Sequence, residues 1–169
     1  MFPLAHLGIG SALTRLSPVK LPVRWVLVGT MLPDIIDKPI FFALSRCCSE
    51  DGWEAGKRGF AHTLVFLVLL AAASQARKSK ALWALTAGTA THLALDVISK
   101  STQGSATALG SLRVLFWPLA GWSFPTLSHG MHGMEIYGFE IAGVALLILQ
   151  FALWYFGRSR ACTSRPSYF

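Results

Sequence analysis

Charged residues and cysteines are scarce in this sequence. Charged side chains occupy 14% of its 169 positions, against about 25% in an ordinary soluble domain. Hydrophobic residues make up 53%, with 11 Phe and 6 Trp among them, and the mean hydropathy is +0.51. So few polar residues do not cover the surface of a water-exposed globule of this size. The composition argues against a soluble monomer and favours a single domain folded in a bilayer.

The three cysteines and the placement of the basic residues exclude two further classes. Cys47 and Cys48 are adjacent, and with Cys162 they form neither a disulfide framework nor a C-x-x-C metal knuckle. The net charge is +7, but the basic residues are scattered between apolar runs and form no stripe for nucleic acid. We therefore expect no nucleic-acid partner, and membrane topology explains the charge better.

The apolar residues form six runs, of which only the last is long and uniform. These runs cover residues 2–16, 21–44, 60–76, 81–98, 112–127 and 137–156. A helix needs about 20 apolar residues to span the hydrocarbon, so the shorter runs predict short or tilted helices. His6 interrupts the first run and no cleavage site follows a basic start, so we expect the first helix to be retained. Pro33 and Pro39 are expected to break the second run in two.

Together these runs predict an all-α fold, a polytopic helical membrane protein with about five membrane-embedded helices, some of them short or broken. The helices are expected near residues 3–16, 21–33, 60–76, 80–99 and 136–157. Residues 100–135 are expected to form an outer-side loop that contains a half-buried segment at residues 115–118.

The distribution of charge orients these helices. Three segments carry cations without any acid, and their nine cations are Arg15, Lys20, Arg24, Arg77, Lys78, Lys80, Arg158, Arg160 and Arg165. The other six cations share the opposite side with all eight acidic residues. Under the positive-inside rule the acid-free segments face the cytoplasm. This predicts an outside N-terminus, a membrane domain over residues 1–158 and a cytoplasmic, disordered tail over residues 159–169.

Under this topology, unusual polar residues from four segments collect at one depth on the outer side. They are His6, Asp34, Asp37, His62, His92 and Asp96. Ionisable groups within membrane segments are costly and persist where they pair, line a wet cavity or bind an ion. His92 and Asp96 have an i, i+4 spacing, which places both on one helical face.

Two interpretations of this cluster remain open. Mixed nitrogen and oxygen ligation suits zinc or another divalent first-row metal such as manganese, so the residues predict a metal centre. The alternative is an ion-pair network in which basic residues neutralise the three carboxylates, namely Lys38, Lys57, Arg58 and Lys100. A second set with ligand-like spacing, His129 and His132 with Glu135, contains glycines, and we interpret it as a lid or a secondary ligand set.

Five short motifs follow one another along the chain in a specific order. They are His6 with Gly8 and Gly10, the run Gly29–Pro39, the run Arg58–Leu64, the pair His92 and Asp96, and Leu115–Pro118. In this order they resemble the YdjM-like family of inner-membrane, metal-dependent hydrolases, which are also described as LexA-binding. The chain departs from the family pattern at Lys57, where a histidine is common. It also has an extra residue between Asp34 and Asp37, so both stay candidate ligands.

The resemblance implies a membrane hydrolase of the bacterial inner membrane, related to zinc-dependent phospholipase C and its nuclease relatives. We therefore predict zinc or manganese bound by His6, Asp34, Asp37, His62, His92 and Asp96. The expected substrate is a lipid or lipid-linked phosphoester, reached among membrane lipids at the extracytoplasmic interface.

In this prediction the residues have separate roles. Arg58 offsets charge on the phosphate, because guanidinium matches phosphate oxygens in a fork geometry. Asp37 is placed with the catalytic residues, since whichever of Asp34 and Asp37 does not bind the metal can act as general base. The alternative is a non-catalytic membrane protein, a metal-binding, transport or structural subunit, that uses the same cluster as an ion-pair network.

Overall fold

The computed structural model describes residues 3–15, 19–48, 59–122 and 134–163, and within these ranges every regular element is helical. The helices are α1 (Pro3–Arg15), α2 (Val23–Cys48), α3 (Leu64–Ala76), α4 (Lys80–Ser101), α5 (Ser105–Leu115) and α6 (Met134–Thr163), with a short 3-10 turn at Phe60–His62. The all-α prediction is therefore confirmed. The predicted tail from residue 159 begins within α6, and its last six residues lie outside the described ranges.

Helix α4 lies at the centre of the bundle. It packs against α2 most extensively and also contacts α1, α3 and α5, whereas α6 packs mainly against α1. Gly88 lets α4 approach α2 closely, because a Cβ at this position would collide with the backbone of Val26 and Thr30. Small residues at helix contacts are typical of membrane bundles, where they bring two backbones together.

The polarity of the interior is the reverse of that of a water-soluble protein. Among the described residues, buried polar and charged side chains outnumber buried hydrophobic ones. Large hydrophobic side chains point outwards instead, and Val68, Ile141 and Phe151 are 63%, 69% and 65% exposed. A lipid environment accounts for both observations, because apolar side chains then lie against acyl chains.

In the described part of the chain, one helix is both long enough and apolar enough to cross a membrane. This is α4, Lys80–Ser101, while the apolar stretches Leu64–Ala76 and Tyr137–Leu153 are shorter. The prediction of about five membrane-embedded helices therefore stays a prediction.

The prolines do not break α2, so that prediction was wrong. Pro33 and Pro39 both lie inside one continuous helix, Val23–Cys48. Pro33 has no N–H to donate to the carbonyl of Gly29, four residues earlier. The Thr89 hydroxyl of α4 donates to that carbonyl at 3.2 Å. Packing against α4 thus replaces the hydrogen bond that the proline removes, and the helix continues.

The outer-side loop predicted for residues 100–135 contains a helix, which corrects the prediction. Helix α5 covers Ser105–Leu115, and Gly104 precedes it with a φ of 111°. The Thr107 hydroxyl donates to the carbonyls of Gly104 at 2.8 Å and Lys100 at 3.1 Å, which ties the first turn of α5 to the end of α4. Residues 123–133 lie outside the described ranges.

Two hydroxyl residues determine where α3 and α4 begin. The Thr63 hydroxyl accepts the N–H of Phe66 at 3.2 Å, and the Ser79 hydroxyl accepts that of Leu82 at 3.4 Å. Each cap satisfies a backbone donor that the first helical turn leaves open. The cap at Thr63 also places His62 directly before α3, at the end of the 3-10 turn.

Helix α1 is held by polar groups of α6. The Glu140 carboxylate accepts the N–H groups of Leu4 at 3.1 Å and Ala5 at 3.0 Å, where the helix dipole favours negative charge. Further along, Gln150 exchanges hydrogen bonds with the Ser11 hydroxyl. These contacts fix the position of α1, and with it that of the early histidine.

Candidate metal centre

His92, on the inner face of α4, has one ring nitrogen committed to the backbone. Its Nδ1 lies 2.7 Å from the carbonyl oxygen of Thr30. A carbonyl only accepts hydrogen bonds, so Nδ1 carries the proton and Nε2 carries the lone pair in the neutral ring. The carbonyl that orients His92 comes from the turn of α2 just before Pro33. A backbone acceptor of this kind commonly fixes the tautomer of metal-binding histidines.

His62 is oriented in the same way by a carboxylate. Its Nδ1 lies 2.6 Å from Asp37 Oδ2. The Asp37 carboxylate also accepts the backbone N–H groups of Gly59 at 2.7 Å and Ala61 at 3.1 Å. Asp37 therefore binds the 3-10 turn and the His62 ring together, and Nδ1 of His62 donates to it. Carboxylate–histidine pairs of this type orient metal ligands in many proteins.

The second nitrogens of the two rings meet between two carboxylates. Nε2 of His62 and Nε2 of His92 are 3.3 Å apart. Asp34 Oδ1 lies 3.6 Å from the His62 Nε2, and Asp96 Oδ2 lies 3.8 Å from both nitrogens. Ligands bound tetrahedrally at about 2.1 Å from one zinc ion lie about 3.4 Å from each other. These separations are therefore close to those of a ligand set.

His6 of α1 completes the cluster on the side of Asp96. Its ring stacks on His92 with the centroids 4.0 Å apart, and its Nε2 lies 3.6 Å from Asp96 Oδ1. The side chain is 1% exposed. Among the residues that the structure describes, its Nδ1 has no hydrogen-bond partner.

Two groups of possible ligand atoms result, and they share one residue. One group is His6, His92 and Asp96, and the other is Asp34, His62 and His92, with the ligand atoms of each group within 4.8 Å of one another. Imidazole nitrogens with carboxylate oxygens form a donor set that suits a divalent first-row metal such as zinc or manganese. The residues present therefore fit a metal ion.

Lys38 contributes positive charge at the edge of the cluster. Its Nζ lies 2.9 Å from Asp34 Oδ2, and its side chain is 45% exposed. An exposed ion pair at i, i+4 is worth only about 0.3–0.5 kcal/mol. Lys38 contacts Oδ2 of Asp34, and Oδ1 of the same carboxylate lies on the side of His62.

The structure brings five of the predicted site residues together, namely His6, Asp34, His62, His92 and Asp96. Asp37 lies behind His62, where it contacts Nδ1 and the backbone. Arg58 lies outside the described residues, as do Lys57, His129 and His132. The role of the Thr30 carbonyl was missed by the sequence reasoning, because a backbone acceptor carries no signal of its own in the sequence.

A pocket opens onto His62 and Asp96 between α4 and α5. Its remaining walls come from Leu93, Val97, Ser111, Val114 and Leu115. Aromatic rings lie near this side of the molecule, since Phe60 meets Trp117 edge-on at 6.3 Å and Trp117 meets Trp122 at 6.2 Å. Polar and apolar groups contribute about equally to the lining of this pocket, and the two site residues provide its polar end.

Comparison with known proteins gives one family match. The family model described as YdjM inner membrane protein matches residues 1–161. No curated protein and no solved structure matches the chain. The match covers nearly the whole sequence, so the family resemblance expected from the motifs is confirmed.

Proposed function

The chain belongs to the YdjM inner membrane protein family, and on this premise we propose that it is a metal-dependent hydrolase. It binds a divalent ion, zinc or manganese, with its buried His and Asp residues. Its substrate is a phosphoester of a lipid or a lipid-linked molecule at the membrane interface. The metal site is supported by geometry, and the reaction rests on the chemistry that such a site makes available.

One observation carries the metal proposal, the 3.3 Å separation between Nε2 of His62 and Nε2 of His92. Both rings donate from Nδ1, to Asp37 and to the Thr30 carbonyl. In their neutral forms they therefore point two lone pairs at each other. Asp34 and Asp96 add carboxylate oxygens within 3.8 Å. A bound cation satisfies the lone pairs and the carboxylates together, and burial makes such groups costly without a partner.

When bound, a divalent ion supplies Lewis-acid stabilisation of a phosphoryl oxygen and an activated water molecule. Residues of the chain orient the metal ligands and bind the substrate. Asp37 orients His62, and we give it this role rather than that of general base because its oxygens already accept three hydrogen bonds. Arg58 directly precedes Gly59, whose N–H contacts Asp37. We propose that its guanidinium binds the phosphate.

Two features favour an amphiphilic substrate. The pocket that reaches His62 and Asp96 includes apolar residues of α4 and α5 in its lining, and the outer faces of the helices are apolar. We propose that a head group approaches the site from this side while the acyl chains remain in lipid. We propose that the protein crosses the membrane several times, with this site on the extracytoplasmic side and the C-terminus in the cytoplasm.

Metal analysis of the protein purified in detergent tests the first part of the proposal. Zinc or manganese is expected at or above one ion per chain, and His92→Ala or Asp96→Ala should lose metal. Thr86→Val is the matched control, because Thr86 is a buried polar residue of α4 that hydrogen-bonds Ser74 rather than the cluster. Wild-type protein that is folded and metal-free after reconstitution would favour the ion-pair network.

Hydrolysis is tested with phosphatidic acid in mixed micelles and with water-soluble p-nitrophenyl phosphate. Release of phosphate should need the metal and should be faster from the lipid. Metal-loaded protein that hydrolyses neither substrate nor any other phospholipid would instead support a non-catalytic metal-binding role.

A further inference from the structure

We infer that the cluster holds two metal ions, bridged by the carboxylate of Asp96. This inference rests on the proposed metal-binding function and extends it to the number of ions. One ion would lie among Asp34, His62 and His92, and the other between His6 and Asp96.

His92 belongs to both groups, yet it can serve only one ion. Its Nδ1 donates to the Thr30 carbonyl at 2.7 Å, so Nε2 is the one nitrogen with a lone pair for a metal. That nitrogen lies 3.3 Å from Nε2 of His62, and His62 in turn lies 3.6 Å from Asp34 Oδ1. We therefore assign His92 to the ion that His62 and Asp34 bind. His6 then binds a different ion.

Asp96 faces both sides of the cluster with different oxygens. Oδ2 lies 3.8 Å from the Nε2 atoms of His62 and His92, while Oδ1 lies 3.6 Å from Nε2 of His6. A carboxylate in this position can bind one ion with each oxygen. In two-metal hydrolytic sites the ions lie about 3.5–4 Å apart, which a bridging carboxylate spans.

His6 gives the second, independent observation. It is 1% exposed, and its Nδ1 has no hydrogen-bond partner among the described residues. The 3.6 Å between its Nε2 and Asp96 Oδ1 is too long for a hydrogen bond. A buried ring nitrogen without a hydrogen-bond partner is costly. A cation held between the His6 ring and the Asp96 carboxylate would give this buried ring a bonding partner.

The two ions should differ in affinity. With Asp96 counted on both sides, the Asp34 side offers four protein ligands and the His6 side offers two, with the remaining positions left to water or to oxygens of the substrate. The ion on the His6 side should therefore leave first when a chelator is added. A pair of ions suits phosphoester chemistry, because it can stabilise both the attacking and the leaving oxygen.

The test is the metal content of detergent-purified protein after equilibration with Mn²⁺ and removal of unbound ions. Wild type should hold about two ions per chain, released in two steps by increasing chelator, and should show the magnetic-resonance signal of a coupled manganese pair. His6→Ala should hold about one ion and lose the coupled signal. Leu13→Ala is the control in α1 and should retain both ions, since the Leu13 side chain is 48% exposed.

The outcomes separate this inference from the proposed function. One ion per wild-type chain without a coupled signal would overturn the two-ion arrangement and leave the metal proposal standing. No bound metal in folded wild type would overturn both. The wild-type measurements decide the question even if His6→Ala fails to fold.

Discussion

Asp37 lies behind His62, outside the two groups of possible ligand atoms, and it is expected to orient that ring for the proposed metal ion. It holds Nδ1 of His62 at 2.6 Å and joins it to the backbone of Gly59 and Ala61. Loss of an orienting partner of this kind typically costs 10–100-fold in metal affinity. We expect Asp37→Asn to weaken manganese binding by roughly this factor, as measured by competition with a chelator.

Lys38→Met is the matched control for Asp37→Asn. Lys38 contacts Asp34 from the exposed side of α2, so its removal should leave metal affinity within about twofold, since exposed pairs contribute little. A large loss of thermal stability in Lys38→Met, with no effect of Asp37→Asn on metal, would support the ion-pair network instead.

Arg58 is expected to act on the substrate rather than on the metal. Arg58→Ala should keep its metal and its thermal stability but lose about 2–4 kcal/mol of transition-state stabilisation, as when one donor to a developing anion is removed. Arg58→Lys should recover part of this, because an ammonium keeps the charge without the fork geometry. The measurement is kcat/KM for phosphatidic acid alongside metal content, and unchanged turnover in Arg58→Ala would remove this residue from the site.

At the scale of helices, the contact between α2 and α4 holds the site together. These helices carry Asp34, Asp37, His92 and Asp96, and their separation depends on Gly88. Because a Cβ at Gly88 would meet the α2 backbone, Gly88→Ala should cost about 1–3 kcal/mol as an overpacked contact. It should also lower metal occupancy, since the two helices would move apart.

Gly138→Ala in α6 is the matched control for this substitution. A Cβ at Gly138 has open space around it, so the change should be neutral or stabilise the helix by about 0.5–1 kcal/mol. Both variants are compared by thermal unfolding in detergent and by metal content. Equal stability of Gly88→Ala and wild type would show that α2 and α4 can separate without penalty.

The sequence predicts some of these helices well and others poorly, for physical reasons. The apolar runs place α1 and α4 near their observed bounds and predict the start of α6 but not its end at Thr163, because apolar composition and capping residues such as Ser79 are local signals. The continuity of α2 at Pro33 cannot be predicted from the local sequence, since the replacing hydrogen bond comes from Thr89, which is 60 residues away from Gly29. The residue types of the cluster are also visible in sequence, but the tertiary contacts that place Asp37 on Nδ1 of His62 and Asp34 near its Nε2 are not.

At the scale of the whole molecule, the reversed polarity of interior and exterior agrees with an inner membrane protein. Its proposed orientation can be tested by labelling single cysteines in a variant that lacks Cys47, Cys48 and Cys162. A cysteine at Ser49 should react with an impermeant reagent added outside, and one at Arg77 should not, because the acid-free segment at 77–80 is expected to face the cytoplasm. The opposite labelling pattern would reverse the orientation while keeping the cluster on one side.

The hydrogen bond from Thr89 to the Gly29 carbonyl has an evolutionary consequence. A proline at position 33 is tolerated because position 89 offers a hydroxyl. The effect of either residue on stability therefore depends on which residue occupies the other position. In ancestral chains that acquired the proline first, the Gly29 carbonyl would have lacked this hydrogen bond until the hydroxyl appeared. Among relatives we therefore expect positions 33 and 89 to vary together, with proline-free chains free to carry alanine or valine at position 89.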